Sequence, residues 1–178
     1  MKKKPNIMIS TRWEAARWCH SYDHVLTVFS PWWHCDWGHN DHLIVEFQDR
    51  YLDREGAPTL SQIDDILCWA YPRLMPFSAT QDDSMLIHCK AGQSRSTAVA
   101  IAICAMIGMS EEEAFSYVYS ECRPAEKVGV RPFIPNMRVL ELADELLGTN
   151  LVSAHVSLDV VKEPEWMSGY PRLLDVNR

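Results

Sequence analysis

The 178-residue chain has no apolar run long enough to cross a bilayer. Its most apolar stretch, Thr97-Ala98-Val99-Ala100-Ile101-Ala102-Ile103-Cys104-Ala105-Met106-Ile107, falls short of the roughly 20 residues a spanning helix needs, so no membrane span is expected. Basic charge is also scarce: 17 lysines and arginines stand against 24 aspartates and glutamates, for a net charge of −7 and a pI near 5.4. Broad binding to nucleic acid or to an acidic membrane needs a positive face, so the balance argues against both partners. A small positive pocket inside an acidic protein remains compatible with it. Met1-Lys2-Lys3-Lys4-Pro5 is a basic start with no apolar stretch behind it, which predicts no export. The six cysteines follow no regular spacing, and free thiols in a reducing cytoplasm are the simplest reading. There is no internal repeat and no low-complexity segment. What is present is a hydrophobic share of 47%, too high for a disordered chain, at a length suited to one domain with a full core. Most of the seven tryptophans are expected in that core.

The chain is organised around Met85-Leu86-Ile87-His88-Cys89-Lys90-Ala91-Gly92-Gln93-Ser94-Arg95-Ser96. A short apolar run reads as a buried strand, a polar loop with one glycine follows, and the apolar stretch from Thr97 reads as a buried helix. Strand, tight loop and helix N-terminus together make an anion site, because loop N–H groups converge into a nest and the helix dipole adds partial positive charge. A cysteine sulfur in such a nest is held as thiolate, the nucleophilic form. Arg95, six positions beyond Cys89, offers a planar fork that matches two phosphate oxygens. One stretch thus supplies a nucleophile and an oxyanion cradle.

His88-Cys89, five residues, then Arg95-Ser96 resembles the signature loop of the cysteine-dependent protein phosphatases, and Gly92-Gln93-Ser94-Arg95-Ser96 resembles their dual-specificity branch. The resemblance covers roughly residues 24 to 147. It extends through Glu112-Glu113-Ala114, Arg123-Pro124 and Ile134-Pro135-Asn136. It implies phosphoryl transfer from a phosphomonoester to Cys89, followed by hydrolysis of the thiophosphate by water. Arg95 is then expected to bind phosphoryl oxygens, with the loop Lys90, Ala91, Gly92, Gln93 and Ser94 around the substrate. Ser96 is expected to assist the departing thiolate, and His88 to hold the loop. The reaction also needs a proton for the leaving oxygen, given by a positioned acid. The resemblance places this group on a loop after a sheet strand, where Asp49 is the first candidate and Asp53 the second. No cofactor and no metal is implied.

Taken in order, Ile7-Met8-Ile9 predicts a first strand, and Thr11-Arg12-Trp13-Glu14 has the spacing of a capping box that opens a helix to about His20. Trp13, Ala16 and His20 are expected on one side of it. Strands follow at Val25–Phe29 and Leu43–Phe47. Gln48 to Pro58 reads as a mobile loop. Leu60, Ile63, Ile66, Leu67 and Ala70 recur at helical spacing, and Pro72 is expected to kink or end that helix. Beyond the buried helix, Gly108 is placed as its stop. Ser110 opens a second capping box, with Ala114, Phe115, Val118 and Tyr119 inward, and Asn136 starts a helix that Gly148 ends. The fold class expected is α/β: a single domain with a central, mostly parallel sheet flanked by helices. In it the signature loop joins a central strand to the buried helix. Residues 1–150 form the catalytic domain and 151–178 a C-terminal extension, in which Val160 to Trp166 reads as a strand or a packed tail.

The loop Trp32 to His42 carries His34, Cys35, Asp36, His39, Asp41 and His42, residue types that bind metals. Its spacing matches no closed zinc site, and a surface loop or a substrate-facing wall reads better. Three functions are open at this point. The first is a phosphatase for phosphotyrosine, with phosphoserine and phosphothreonine alongside. The second is a phosphatase for non-protein phosphates such as phosphoinositides: Lys90 beside the nucleophile resembles relatives that act on inositol lipids, and some relatives that act on proteins share it. The third is a phosphate-binding module without catalysis. The partner is accordingly a phosphorylated protein or a small phosphate, and no oligomeric state is read from the sequence.

Overall fold

In the computed structural model the residues described are 5–30, 37–52, 54–75, 83–122 and 133–157. Four strands, β1 (Asn6–Thr11), β2 (His24–Phe29), β3 (His42–Glu46) and β4 (Ser84–Cys89), form one sheet in the order β1-β4-β2-β3. Every pairing is parallel. Among the described residues there are six helices, α1 (Arg12–Trp18), α2 (Leu60–Leu74), α3 (Arg95–Met106), α4 (Glu111–Glu121), α5 (Met137–Leu147) and α6 (Leu151–Ser157). A turn of 3-10 helix, Cys19–Ser21, links α1 to β2.

Side chains alternate across a strand, so each strand feeds two layers. Leu26, Val28, Met85 and Ile87 point to one face, where Ile63 of α2, Ile101 of α3, Val118 of α4, Leu140 of α5 and Leu151 of α6 complete the main core. Val25 and Leu86 point to the other face and meet Ala15 and Cys19 of α1. A parallel sheet covered on both faces is the result, which is the α/β architecture the sequence predicts. β4 lies inside the sheet between β1 and β2, so the signature loop leaves from a central strand end.

The helix starts follow local chemistry. Thr11 and Glu14 make the expected capping box, as do Ser110 and Glu113, and Thr59 with Gln62 adds a third. Asn136 caps α5 through Val139 N, and Gly148 ends it in the left-handed region at φ 67°. Gly108 follows α3 at φ 88°.

Three expectations need correction. None of the four described tryptophans is buried, Trp13 being 75% and Trp18 46% exposed. In α1 and the turn after it the inward residues are Ala15 and Cys19, while Trp13, Ala16 and His20 face solvent; Met8, Tyr22 and Trp37 fill the space around that pair. α2 runs through Pro72 to Leu74. Arg73 Nη1 donates to the Trp69 carbonyl (2.6 Å) and Met75 N to the Tyr71 carbonyl (2.9 Å), so bonding continues past the missing N–H. α4 turns Ala114, Phe115, Val118 and Tyr119 to the core as expected, and Tyr117 joins them, its hydroxyl reaching β1 (Ile7 N to Oη 3.1 Å).

The stretch read as a mobile loop closes on itself, with Gln48 N donating to Gly56 O (2.7 Å) and Ala57 N to Arg54 O (2.8 Å). Asp53, His34, Cys35, Asp36 and the segment Val160 to Trp166 lie outside the described residues.

Candidate active site

The site forms where β4 ends. Cys89, its last residue, is buried, and the chain turns through Lys90–Ser94 into α3. The turn depends on Gly92, at φ 68°, a region that side chains disfavour. A Cβ there would also stand 2.8 Å from the Ser10 carbonyl oxygen. The loop is therefore seated against the end of β1 by a close backbone approach that glycine alone permits.

Cys89 Sγ lies 3.2 Å from Ser96 Oγ and accepts from Gly92 N (3.3 Å). Burial pushes the Cys89 thiol up. Hydrogen bonds from the Ser96 hydroxyl and Ser96 N–H, the Arg95 charge and the Gly92 N–H outweigh it, and the net movement is down. Arg95 is buried at the start of α3. Its Nη1 donates to the Phe47 carbonyl (2.9 Å) and to Ser30 Oγ (3.1 Å), which fixes the plane of the guanidinium. Its buried Nε meets no hydrogen-bond acceptor among the described residues. Part of the fork is thus unspent inside the cavity that Cys89, Lys90 and Arg95 line.

Below the loop, a chain of hydrogen bonds fixes His88. Thr27 pairs with His88 across β2 and β4, and Thr27 Oγ1 lies 2.6 Å from His88 Nε2 and 2.6 Å from His42 Nε2. His88 Nδ1 faces the Cys89 carbonyl at 3.4 Å. Burial pushes the His88 pKa down to about 4, so the ring is neutral near pH 7. A carbonyl only accepts, so Nδ1 carries the proton and Nε2 accepts the Thr27 hydroxyl. With its one proton used, Thr27 accepts from His42 Nε2–H. Trp37 stacks on the His42 ring at 6.0 Å and meets the His88 ring at a tilt at 4.8 Å. The histidine-rich loop therefore meets the signature loop from beneath.

Asp49 stands just beyond β3. Its Oδ1 accepts from Ser94 Oγ (2.7 Å) and Asn136 Nδ2 (2.7 Å), and its Oδ2 is 4.0 Å from Arg95 Nε. Asn136 also donates to the Arg50 carbonyl (3.1 Å), caps α5, and sends its backbone N–H to the Ser94 carbonyl (3.2 Å). One buried asparagine thus ties the Asp49 loop, the signature loop and α5 together. Gln93 is held from its carbonyl by Thr97 Oγ1 (2.8 Å) and Ile134 N (3.1 Å). Ala91 and Lys90 are the exposed residues of the loop, and Lys90 also lines the cavity.

Cys89, Lys90, Arg95 and His88 line one cavity; Ser96 touches the sulfur and Asp49 approaches from the β3 side. Sequence reasoning gave no role to Ser30, Thr27 or Arg12, and none at this site to His42. None carries a local signal, since each reaches the site through strand pairing or a strand end. His39 and Asp41 turn elsewhere, His39 to the Tyr22 carbonyl (2.9 Å) and Asp41 to His24 (2.7 Å) and Arg73 (2.8 Å). Among the described residues no three histidine, cysteine, aspartate or glutamate side chains group as a metal site would.

No protein-family model matches the chain, and no curated protein does. Solved structures do. The Yvh1 phosphatase domain from Chaetomium thermophilum is 22% identical with a TM-score of 0.53, over 82% of this chain and 92% of that one. Human DUSP28 is 17% identical with a TM-score of 0.58, over 82% and 90%. PTPMT1, solved in complex with PI(5)P, is 17% identical with a TM-score of 0.53, over 85% and 95%. Sheet order, helix placement and the loop between β4 and α3 are thus those of a known architecture: the chain has the fold of the cysteine-dependent protein tyrosine phosphatases in their dual-specificity form.

Proposed function

We propose that the chain is a phosphomonoester hydrolase of the protein tyrosine and dual-specificity type, with Cys89 as nucleophile. The observation that carries the reading is the buried Cys89 sulfur. Its pKa moves down despite burial because Ser96, Arg95 and Gly92 all favour the thiolate. In the first step the sulfur forms a bond to phosphorus as the bond to the leaving oxygen breaks, and Asp49 gives that oxygen a proton. With Oδ1 held by Ser94 and Asn136, Oδ2 is the oxygen that carries the proton. In the second step water attacks phosphorus, its proton returns to Asp49, and Cys89 leaves as thiolate with the Ser96 hydroxyl beside it. Arg95 binds the equatorial oxygens throughout, in a plane set by Phe47 and Ser30.

Phosphotyrosine in proteins is the first substrate class, with phosphoserine and phosphothreonine alongside. A second reading, a non-protein phosphate, is favoured by Lys90 in the lining of the cavity.

Cys89→Ser tests the mechanism. Turnover of an aryl phosphate should vanish while phosphate binding persists, since the loop and Arg95 remain. Wild-type rates in that variant would remove Cys89 from the mechanism. Arg95→Lys should also fail, because an ammonium does not reproduce the planar fork.

A further inference from the structure

Arg95 is held by two acceptors of different kinds. The Phe47 carbonyl takes a hydrogen bond from Nη1 (2.9 Å) and has none to give back. The Ser30 hydroxyl takes one from the same nitrogen (3.1 Å), and it carries a proton of its own. A guanidinium has donors only, so that proton points away from Arg95. Among the described residues no acceptor takes it. Ser30 lines the cavity together with Cys89 and Arg95. Its backbone is fixed there: Ser30 is the first residue beyond β2, and the Phe29 carbonyl before it accepts from Phe47 N (2.9 Å), which ties the ends of β2 and β3 where Arg95 reaches them. The buried Arg95 Nε is a second donor without an acceptor among the described residues. Two unspent donors thus belong to the lining of the cavity that holds the sulfur.

We propose that Ser30 is a further catalytic residue, whose hydroxyl accepts from Arg95 and gives a hydrogen bond to a non-bridging oxygen of the phosphoryl group. The role rests on the reading of Cys89 as nucleophile and Arg95 as phosphoryl ligand. Within that reading Ser30 and the phosphoryl group share one guanidinium, so the hydroxyl stands beside the oxygens that Arg95 binds. Accepting from a cation also makes the hydroxyl a stronger donor, because each bond in such a chain polarises the next. No proton is transferred: the hydroxyl keeps its hydrogen and meets the charge on the phosphoryl oxygens in both half-reactions. Phosphoryl transfer leaves a protein little to supply beyond position and electrostatics, so a donor aimed before the substrate arrives contributes directly to rate.

The test is turnover of an aryl phosphate by the full chain, with alkylation of Cys89 as a companion measurement. Ser30→Ala should lower kcat/KM about ten- to a hundredfold, the span for a hydrogen bond to a charged group. Ser30→Thr, which keeps the hydroxyl, should recover most of that loss. The pH midpoint of Cys89 alkylation should be the same in Ser30→Ala as in the wild type. That midpoint reports on Arg95: burial raises the Cys89 pKa, and the Arg95 charge, after the Ser96 hydrogen bonds, is among what lowers it. The Phe47 carbonyl still holds the guanidinium in the variant. A wild-type rate in Ser30→Ala overturns the proposal, as does a Ser30→Thr variant as slow as Ser30→Ala. A rate loss accompanied by a higher midpoint also overturns it, since Ser30 then only anchors Arg95. If Ser30→Ala fails to fold, Ser30→Cys supplies a much poorer donor of similar size and is read the same way. Failure of the catalytic reading looks different: wild-type protein itself turns over no phosphomonoester.

Discussion

Cys89 and Cys104 are both buried, fifteen residues apart on a strand end and in the helix that follows it, yet their thiols move in opposite directions. Burial and the Glu121 charge push Cys104 up to about 12, whereas Cys89 moves down because three neighbours favour its anion. Alkylation followed by mass spectrometry should therefore modify Cys89 with a midpoint below the ordinary thiol value of about 8.5, and leave Cys104 untouched in the folded protein. Ser96→Ala removes a group that favours the thiolate, so the midpoint should shift to higher pH; an unmoved midpoint would show that Ser96 does not tune the sulfur. Asp49→Asn should cost on the order of 10²–10⁴ in turnover for a phenol of high pKa and much less for an activated aryl phosphate. The same variant of Asp53 is the comparison: if it alone shows the leaving-group dependence, the acid lies four residues on. The grouping of Cys89, Arg95 and Ser96 was legible because their spacing is local, within one strand, loop and helix. Asn136 was legible as a helix start and not as the partner of Asp49, since its contact with residue 49 exists only after α5 has docked.

Helix starts were the most legible elements. A capping box is a four-residue exchange of hydrogen bonds, and Thr11–Glu14 and Ser110–Glu113 form as their spacing predicts. Ser110→Ala should lower stability by about 1 kcal/mol, read as a shift in the denaturant midpoint at constant slope. Tryptophan placement was not legible, because a large ring pays its burial back at an element edge as readily as in the interior. Trp69 shows this: half-buried on α2, it carries the Arg73 guanidinium 4.3 Å above its ring. Arg73 in turn grips Asp41 through Nε (2.8 Å) and Nη2 (2.8 Å), and Asp41 holds His24 of β2 (2.7 Å). Burial acts to raise the Asp41 pKa, but the hydrogen bonds from Arg73 and His24 and their charges bring it below the usual carboxylate value. The unfolded chain has Asp41 near 3.9. The contribution of this clamp is therefore complete above about pH 4 and is lost as pH falls through the lower folded value. Denaturant midpoints from pH 7 down to pH 3 should fall more steeply in the wild type than in Asp41→Asn, and parallel profiles would show that the clamp stabilises nothing.

At the scale of the molecule, the α/β class followed from the alternation of strand and helix patterns, whereas strand order did not. Nothing in the β1 sequence says that it pairs with β4, which lies more than seventy residues on; the register Thr11 to Cys89 is a property of the assembled sheet. That pairing is also what brings Arg12 to the site. Among the described residues the last helix, α6, joins the same core: Leu151 is fully buried, and Asp144 of α5 accepts from Leu151 N (2.6 Å) and Val152 N (3.0 Å). Leu151→Ala should destabilise the protein by about 2–5 kcal/mol in a single unfolding transition, since the site shares its core with this helix. The order of the sheet leaves β1 and β3 as its two margins. At the entry of β1, the Tyr117 hydroxyl donates to the Pro5 carbonyl (2.6 Å) and receives the Ile7 N–H (3.1 Å). These are the backbone groups through which a second chain could dock as an added strand, and a single phenol from α4 occupies them. Tyr117 is thus a guard against self-association as well as a core residue: Tyr117→Phe keeps the ring and unlocks the margin, and it should raise the rate of lateral aggregation more than it lowers stability.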